Sequence, residues 1–101
     1  MIEEKTSVVF CSNERQIWYK GGTRHRLDGP ACIFPNGYQE WCVNGRLHRL
    51  DGPALIFSNG GQKWLKDDKL HRVDGPAIIH PDGSQEWWLE DKRVTKKVVE
   101  G

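Results

Sequence analysis

The hydrophobic positions of this chain fall into short runs separated by turn residues. Residues 54–57 are apolar, Asn59-Gly60 follows, and a second run ends in Trp64 and Leu65. An Asn-Gly pair between apolar runs predicts a β-hairpin with a two-residue type I′ turn, in which both central residues have positive φ. Such a turn would place Leu55 opposite Trp64. The same signal recurs at Asn36-Gly37 and at Asp82-Gly83.

These hairpin signals belong to a repeat of 23 residues, W-x6-H-R-x-D-G-P-A-x-I-x-x-(N/D)-G-x-Q-x. Its recurring residues are Trp18, Trp41, Trp64 and Trp87; His25, His48 and His71; and Asp28, Asp51 and Asp74. Residues 18–86 hold three regular copies, residues 1–17 a degenerate N-terminal cap, and residues 87–101 a C-terminal cap and tail. Degenerate ends around regular copies are typical of a stacked array. We therefore predict one all-β domain, a single elongated, twisted antiparallel sheet of about four β-hairpin repeats.

Between successive hairpins runs an arm of ten residues, 44–53, which is longer than an ordinary hairpin connection. Both faces of the predicted sheet are largely apolar, so one face needs a cover. We expect the arm to fold back and to pack Leu47 and Leu50 on the sheet, as Leu70 and Val73 would in the next unit and Leu27 in the first. Gly52 is expected to hold a φ that other residues rarely adopt, and Pro53 to lead into the next strand.

The stretch from Asn44 to His48, followed by Gly52, an apolar strand and Asn59-Gly60, resembles the MORN repeat, particularly its shorter bacterial variant. The resemblance covers about residues 7–94, and it implies an elongated β-sheet that serves as a protein-interaction platform. Two features depart from the family pattern. Arginine stands where the family has glycine after its histidine, and the D-G-P-A element is additional. Membrane-lipid binding, attributed to some members, is therefore not part of the expectation.

Composition limits the function classes further. A length of 101 residues allows one small domain, and a net charge of +1 removes the whole-molecule argument for binding nucleic acid or anionic membranes. No apolar run is long enough to span a bilayer. Three cysteines (Cys11, Cys32 and Cys42) cannot form a closed disulfide framework, which favours a cytoplasmic setting.

The repeated histidine and aspartate also suggest two kinds of chemistry. His48 and Asp51 have the spacing of a general-base dyad. However, the pair occurs three times without a repeated nucleophile, so we expect Asp51 to cap its own turn or to orient His48. A metal site would need His25, His48 and His71 to converge, but equivalent positions in neighbouring hairpins lie roughly 9.5 Å apart. We therefore expect no enzymatic activity, no metal and no cofactor.

Two sets of residues are candidates for contact with a partner. The first is a comb of arginines, Arg26, Arg49 and Arg72, each of which could instead pair with an aspartate of its own or an adjacent arm. The second is an exposed strip of Tyr19, Leu65 and Trp88. The tryptophans of the regular copies are expected to form a core spine, each indole packing on the next, with a stacking platform for bases as the alternative.

The function expected from these features is non-catalytic binding of a macromolecular partner, most often another protein, through an extended β-repeat surface. An inhibitory or anti-defence accessory protein of phage or bacterial origin would fit, although no particular residue points to it. The alternative is a nucleic-acid or nucleotide binder that uses the arginine and histidine comb with exposed aromatics. Both an apolar strip and open sheet edges favour a homodimer, and no membrane partner is expected.

Overall fold

The computed structural model describes residues 7–10 and 14–96. Over these residues the chain forms fourteen short β-strands and no helix, so the predicted all-β class is confirmed. The strands are β1 Ser7–Phe10, β2 Gln16–Lys20, β3 Thr23–Arg24, β4 Cys32–Ile33, β5 Gln39–Glu40, β6 Cys42–Val43, β7 Arg46–Leu47, β8 Leu55–Ile56, β9 Gln62–Lys63, β10 Leu65–Lys66, β11 Lys69–Leu70, β12 Ile78–Ile79, β13 Gln85–Leu89 and β14 Lys92–Val94. Residues 1–6, 11–13 and 97–101, which hold Cys11 and parts of both expected caps, lie outside the described residues.

One large antiparallel sheet organises the molecule. Its strands follow the order β1-β2-β4-β5-β8-β9-β12-β13-β14, so the sheet is open and ends in β1 and β14. Strand β3 pairs with β2 outside this path, while β6–β7 and β10–β11 form small sheets of two strands. The principal extents of 42 × 35 × 17 Å describe a broad and thin body.

The main hairpins use a longer turn than the sequence predicted. The Phe57 N–H donates to the Gly61 carbonyl and the Gly60 N–H donates to the Phe57 carbonyl, which leaves a loop of three residues. Gly60 has a φ of 92°, whereas Asn59 is not among the residues with positive φ. The predicted type I′ turn is therefore wrong here, and the register moves by one residue. Leu55 lies opposite Lys63, not opposite Trp64.

Two-residue turns with positive φ do occur, but in a second set of hairpins that the sequence pattern did not predict. Asn44 and Gly45 have φ values of 52° and 81° and connect β6 to β7. Asp67 and Asp68 do the same between β10 and β11, with φ values of 49° and 69°. Each of these two units thus contributes a small hairpin beside its main one. The segment expected to be one long arm begins with this hairpin.

The core lies where the main strands meet the small hairpins. Its buried apolar residues are Ile17, Ala31, Cys32, Cys42, Ala54, Leu65, Ala77 and Ile78. The repeated alanine is fully buried, and its carbonyl accepts the backbone N–H of the tryptophan that begins the same copy, as when the Trp41 N–H donates to the Ala54 carbonyl at 2.7 Å. The remainder of the arm does not supply the expected cover. Leu27, Leu50 and Val73 are 64%, 74% and 64% exposed, so the predicted packing of these side chains on the sheet is wrong.

Candidate functional site

The arginine of each regular repeat lies over the tryptophan of the same repeat. The Arg49 guanidinium carbon is 3.7 Å from the centre of the Trp41 ring. Arg49 Nε donates to Asp51 Oδ1 at 3.1 Å, and Nη1 donates to the Pro53 carbonyl at 3.2 Å. The same contacts occur in the flanking units, formed by Arg26 with Trp18, Asp28 and Pro30, and by Arg72 with Trp64, Asp74 and Pro76. The comb expected to bind a partner is therefore already engaged within the chain.

Gly52 provides the space that this arrangement needs. A Cβ on Gly52 would lie 2.6 Å from Arg49 Cζ, closer than side chains approach one another. Gly52 is not among the glycines with positive φ, so the expected backbone reason for glycine is wrong. The D-G-P element thus holds the arginine in place. Asp51 and the Pro53 carbonyl accept its hydrogen bonds, and Gly52 has no side chain to clash with the guanidinium.

The repeated histidine joins each regular repeat to the next. His48 Nδ1 accepts the backbone N–H of Asp67 at 3.1 Å, across 19 residues. His25 and His71 accept from Asn44 and Glu90 in the same way, at 2.8 and 3.0 Å. Because Nδ1 acts as the acceptor, the ring proton lies on Nε2. Each histidine therefore ties its own copy to a residue of positive φ in the turn of the next copy: Asn44, Asp67 or Glu90.

The histidine–aspartate pair that the H-x-x-D spacing suggested is not formed. The carboxylate of Asp51 accepts from Arg49 Nε, and its side chain is 87% exposed. The carboxylate beside His48 is that of Asp67, at 3.4 Å from Nδ1. We expected Asp51 to cap its own turn or to orient His48. The hydrogen bonds show neither role, because Asp51 pairs with Arg49 instead.

The indoles of the repeat are only half-buried, and no two of them are in ring contact within the described part of the chain. Trp18, Trp41 and Trp64 have a guanidinium over one face instead, and Trp87 has Lys96 at 6.0 Å. The expected spine of indole on indole is therefore wrong, and each of these indoles instead packs against one cationic side chain of the chain.

The strip expected at Tyr19, Leu65 and Trp88 is not a continuous exposed surface. Leu65 is only 7% exposed and belongs to the core. Tyr19 and Trp88 are half-buried, and Trp88 Nε1 donates to Glu86 Oε1 at 3.1 Å. The side chain of Leu65 is therefore not accessible to a partner.

The apolar surface lies instead on the arms. Leu27, Leu50 and Val73 occupy the variable position of H-R-x-D, and we call them the apolar row. Two grooves of about 230 and 320 Å³ lie between neighbouring members of the row. The first groove includes Trp41, Val43 and Arg49 in its wall, and the second includes Trp64, Lys66 and Arg72. The signal for this surface was present in the sequence as an apolar residue between Arg and Asp in every copy.

A second concave region lies near the turns of the main hairpins. The Tyr38 ring lies 5.3 Å from the Phe34 ring and 5.6 Å from the Phe57 ring. Burial, together with the hydrogen bond that the hydroxyl donates to Glu40 at 2.7 Å, raises the pKa of Tyr38. Gly61 takes the place of the tyrosine in the next unit and borders a groove of about 210 Å³. This region does not repeat from unit to unit.

Burial and hydrogen bonds shift the pKa values of a few titratable groups among the described residues. Burial raises the pKa of the Cys42 thiol to about 11, which keeps it protonated and poorly nucleophilic near neutral pH. Among the described residues, no group of three or more His, Cys, Asp or Glu side chains is arranged to hold a metal ion. His80 Nε2 and Glu86 Oε2 lie within hydrogen-bonding distance of each other, at 2.7 Å. That pair accounts for the lowered pKa of Glu86, and the Trp88 N–H adds to it.

Comparison with known proteins finds no matching family model, no similar curated protein and no similar solved structure. Over its described residues, the chain has no helix of the length and apolarity needed to cross a bilayer. Function must therefore be argued from the surface itself.

Proposed function

We propose that this protein is a non-catalytic platform that binds another protein through the apolar row and the two grooves beside it. The observation that carries the proposal is the exposure of Leu27, Leu50 and Val73 at the same position of three successive repeats. Their neighbours in H-R-x-D-G-P-A have contacts within the chain, through hydrogen bonds, ring contacts or burial. Within this motif, only the variable position, held by Leu27, Leu50 or Val73, has an exposed apolar side chain.

The row has enough apolar surface to contribute to binding. Burying a leucine or valine side chain fully is worth about 1.5–3 kcal/mol. Because these three side chains are about two-thirds exposed, covering them would supply about 3–6 kcal/mol before the cost of association. Arginine planes and indoles in the groove walls are the residue types that often dominate protein interfaces.

The other expectations remain proposals. The MORN-type repeat and an accessory role in a phage or bacterium are compatible with this surface, as are a cytoplasmic location and a homodimer. The nucleic-acid alternative is weakened, because the guanidinium groups of Arg26, Arg49 and Arg72 already donate to aspartates and carbonyls. No observation favours an enzyme over a binding protein.

Site-specific photo-crosslinking tests the proposal. A photoreactive phenylalanine analogue is placed at Leu50 in the row and, as a control, at Arg46, an exposed position outside both grooves. In extracts of the native host, a protein partner should crosslink from position 50 and not from position 46. The triple variant Leu27→Ser, Leu50→Ser, Val73→Ser should lose the same partner while keeping its melting temperature. A partner retained equally by the triple variant would refute the proposal.

A further inference from the structure

The spacing of the apolar row restricts the shape of what can lie on it. Members of the row occupy equivalent places in successive repeats, and each repeat adds two strands to the large sheet. With strands about 4.7–4.9 Å apart, the row and its two grooves advance by about 9.4–9.8 Å per repeat. A straight partner segment must therefore present side chains at that interval.

The direction of the row excludes one common mode of peptide binding. A segment lying along Leu27, Leu50 and Val73 runs across the strands and not beside them. Strand addition needs a segment parallel to an edge strand, and the edges β1 and β14 lie at the two ends of the array. A segment on the row therefore cannot pair with the sheet as an added strand. Its backbone N–H and C=O groups need other hydrogen-bond partners.

Among regular conformations, polyproline II matches the interval best. Three residues of polyproline II rise about 9.3 Å and complete one turn, so every third side chain lies on one straight edge. Alternate residues of a β-strand repeat at about 6.6–6.8 Å. In an α-helix, residues seven apart on one face are separated by about 10.5 Å. Over two repeats this spacing would differ from that of the row by about 1.4–2.2 Å.

The chemistry of the grooves fits the same class of ligand. Their walls combine indoles and guanidinium planes, as in Trp41 with Arg49 and Trp64 with Arg72. Flat apolar surfaces of this kind accept proline rings, and polyproline segments are recognised by aromatic-lined grooves. Proline also has no N–H, so its burial leaves no unpaired backbone donor.

The charge beside the row suggests what flanks the prolines. Asp28, Asp51 and Asp74 follow the row one position later and are 88%, 87% and 80% exposed. The arginines that they pair with are only 20–23% exposed. The rim therefore presents carboxylates to solvent, which complements a basic residue next to the prolines.

From these observations we infer that the two grooves bind a proline-rich segment of another protein in the polyproline II conformation. Residues i and i+3 of the segment enter the first and second grooves, and a basic residue beside them faces the aspartates. The inference rests on the proposed function, because it specifies the partner of the same surface.

Fluorescence anisotropy with labelled nonaproline tests the inference. The control ligands are a Gly-Ser nonamer and nonaproline built from D-proline, which has the same composition and the opposite helical hand. L-nonaproline should bind at least tenfold more tightly than either control, and two added arginines should tighten it more than two added glutamates. Leu50→Ser, at the wall shared by both grooves, should weaken binding at least fivefold, while Arg46→Ser should leave it unchanged.

Equal binding of the L- and D-peptides, or no effect of Leu50→Ser, would overturn the inference. The crosslinking experiment separates this failure from failure of the platform. If nonaproline does not bind but a native partner still depends on the row, the platform stands and the polyproline conformation is wrong. If neither ligand depends on the row, both proposals are wrong.

Discussion

The packing of Arg49 on Gly52 yields a prediction that the sequence pattern would not suggest. Gly52→Ala places a Cβ 2.6 Å from Arg49 Cζ, so the guanidinium must shift, and the shift weakens its contacts with Trp41 and with the Pro53 carbonyl. The exposed pair with Asp51 contributes little, about 0–1 kcal/mol. The stacking on the indole is worth roughly 0.5–2 kcal/mol and the hydrogen bond to the carbonyl about 1 kcal/mol.

Removing Arg49 altogether should therefore destabilise the protein by about 2–3 kcal/mol. Gly52→Ala should cost about 1–2 kcal/mol, because the displaced contacts outweigh a gain of about 0.4–1 kcal/mol from a less flexible unfolded chain. In the Arg49→Ala background the obstacle is gone. There, Gly52→Ala should be neutral or mildly stabilising, so the two substitutions couple by about 2 kcal/mol.

Urea denaturation of the four proteins in this double-mutant cycle measures the coupling. Gly60→Ala is the matched control, because Gly60 has a φ of 92° and a Cβ added there would meet no atom within 4 Å. Its cost comes from backbone strain and should be the same with or without Arg49. If Gly52→Ala and Arg49→Ala add to within about 0.5 kcal/mol, the close contact is not the reason for glycine.

Three further predictions follow from individual side chains. His48→Leu should lower stability by about 1 kcal/mol and His48→Asn by less, since asparagine can still accept the backbone N–H; equal melting temperatures for the two variants would contradict this role. The pKa of Glu86 is lowered by His80, so its stabilising effect is complete above the ordinary value of 4.5 and is lost as the pH falls through the folded-state pKa. Glu86→Gln should therefore reduce the difference in unfolding free energy between pH 7 and pH 3, and an unchanged difference would oppose the assignment. Cys42, with a pKa of about 11 against the ordinary 9.0, should react with iodoacetamide at pH 8 about a hundredfold more slowly in the folded than in the unfolded protein, as followed by mass spectrometry.

The β class and the 23-residue period could be predicted because both are properties of the linear pattern. Apolar runs around Asn59-Gly60 are a strong local signal for a hairpin. Its register could not be predicted in the same way, because a two-residue and a three-residue loop suit the same dipeptide. That difference moves every pairing by one residue and changes the neighbour of Leu55 from Trp64 to Lys63.

The candidate surface shows the same division. The sequence by itself determined which residues recur, including the apolar residue between Arg49 and Asp51. Only the tertiary structure decided that Leu50 is exposed and that Arg49 is held by contacts within the chain. The path of the arm depends on a hydrogen bond from a backbone group to His48, 19 residues away, and the arginine depends on space left by Gly52. Contacts between residues distant in the chain, and the space that a missing side chain leaves, have no local pattern from which they could be predicted.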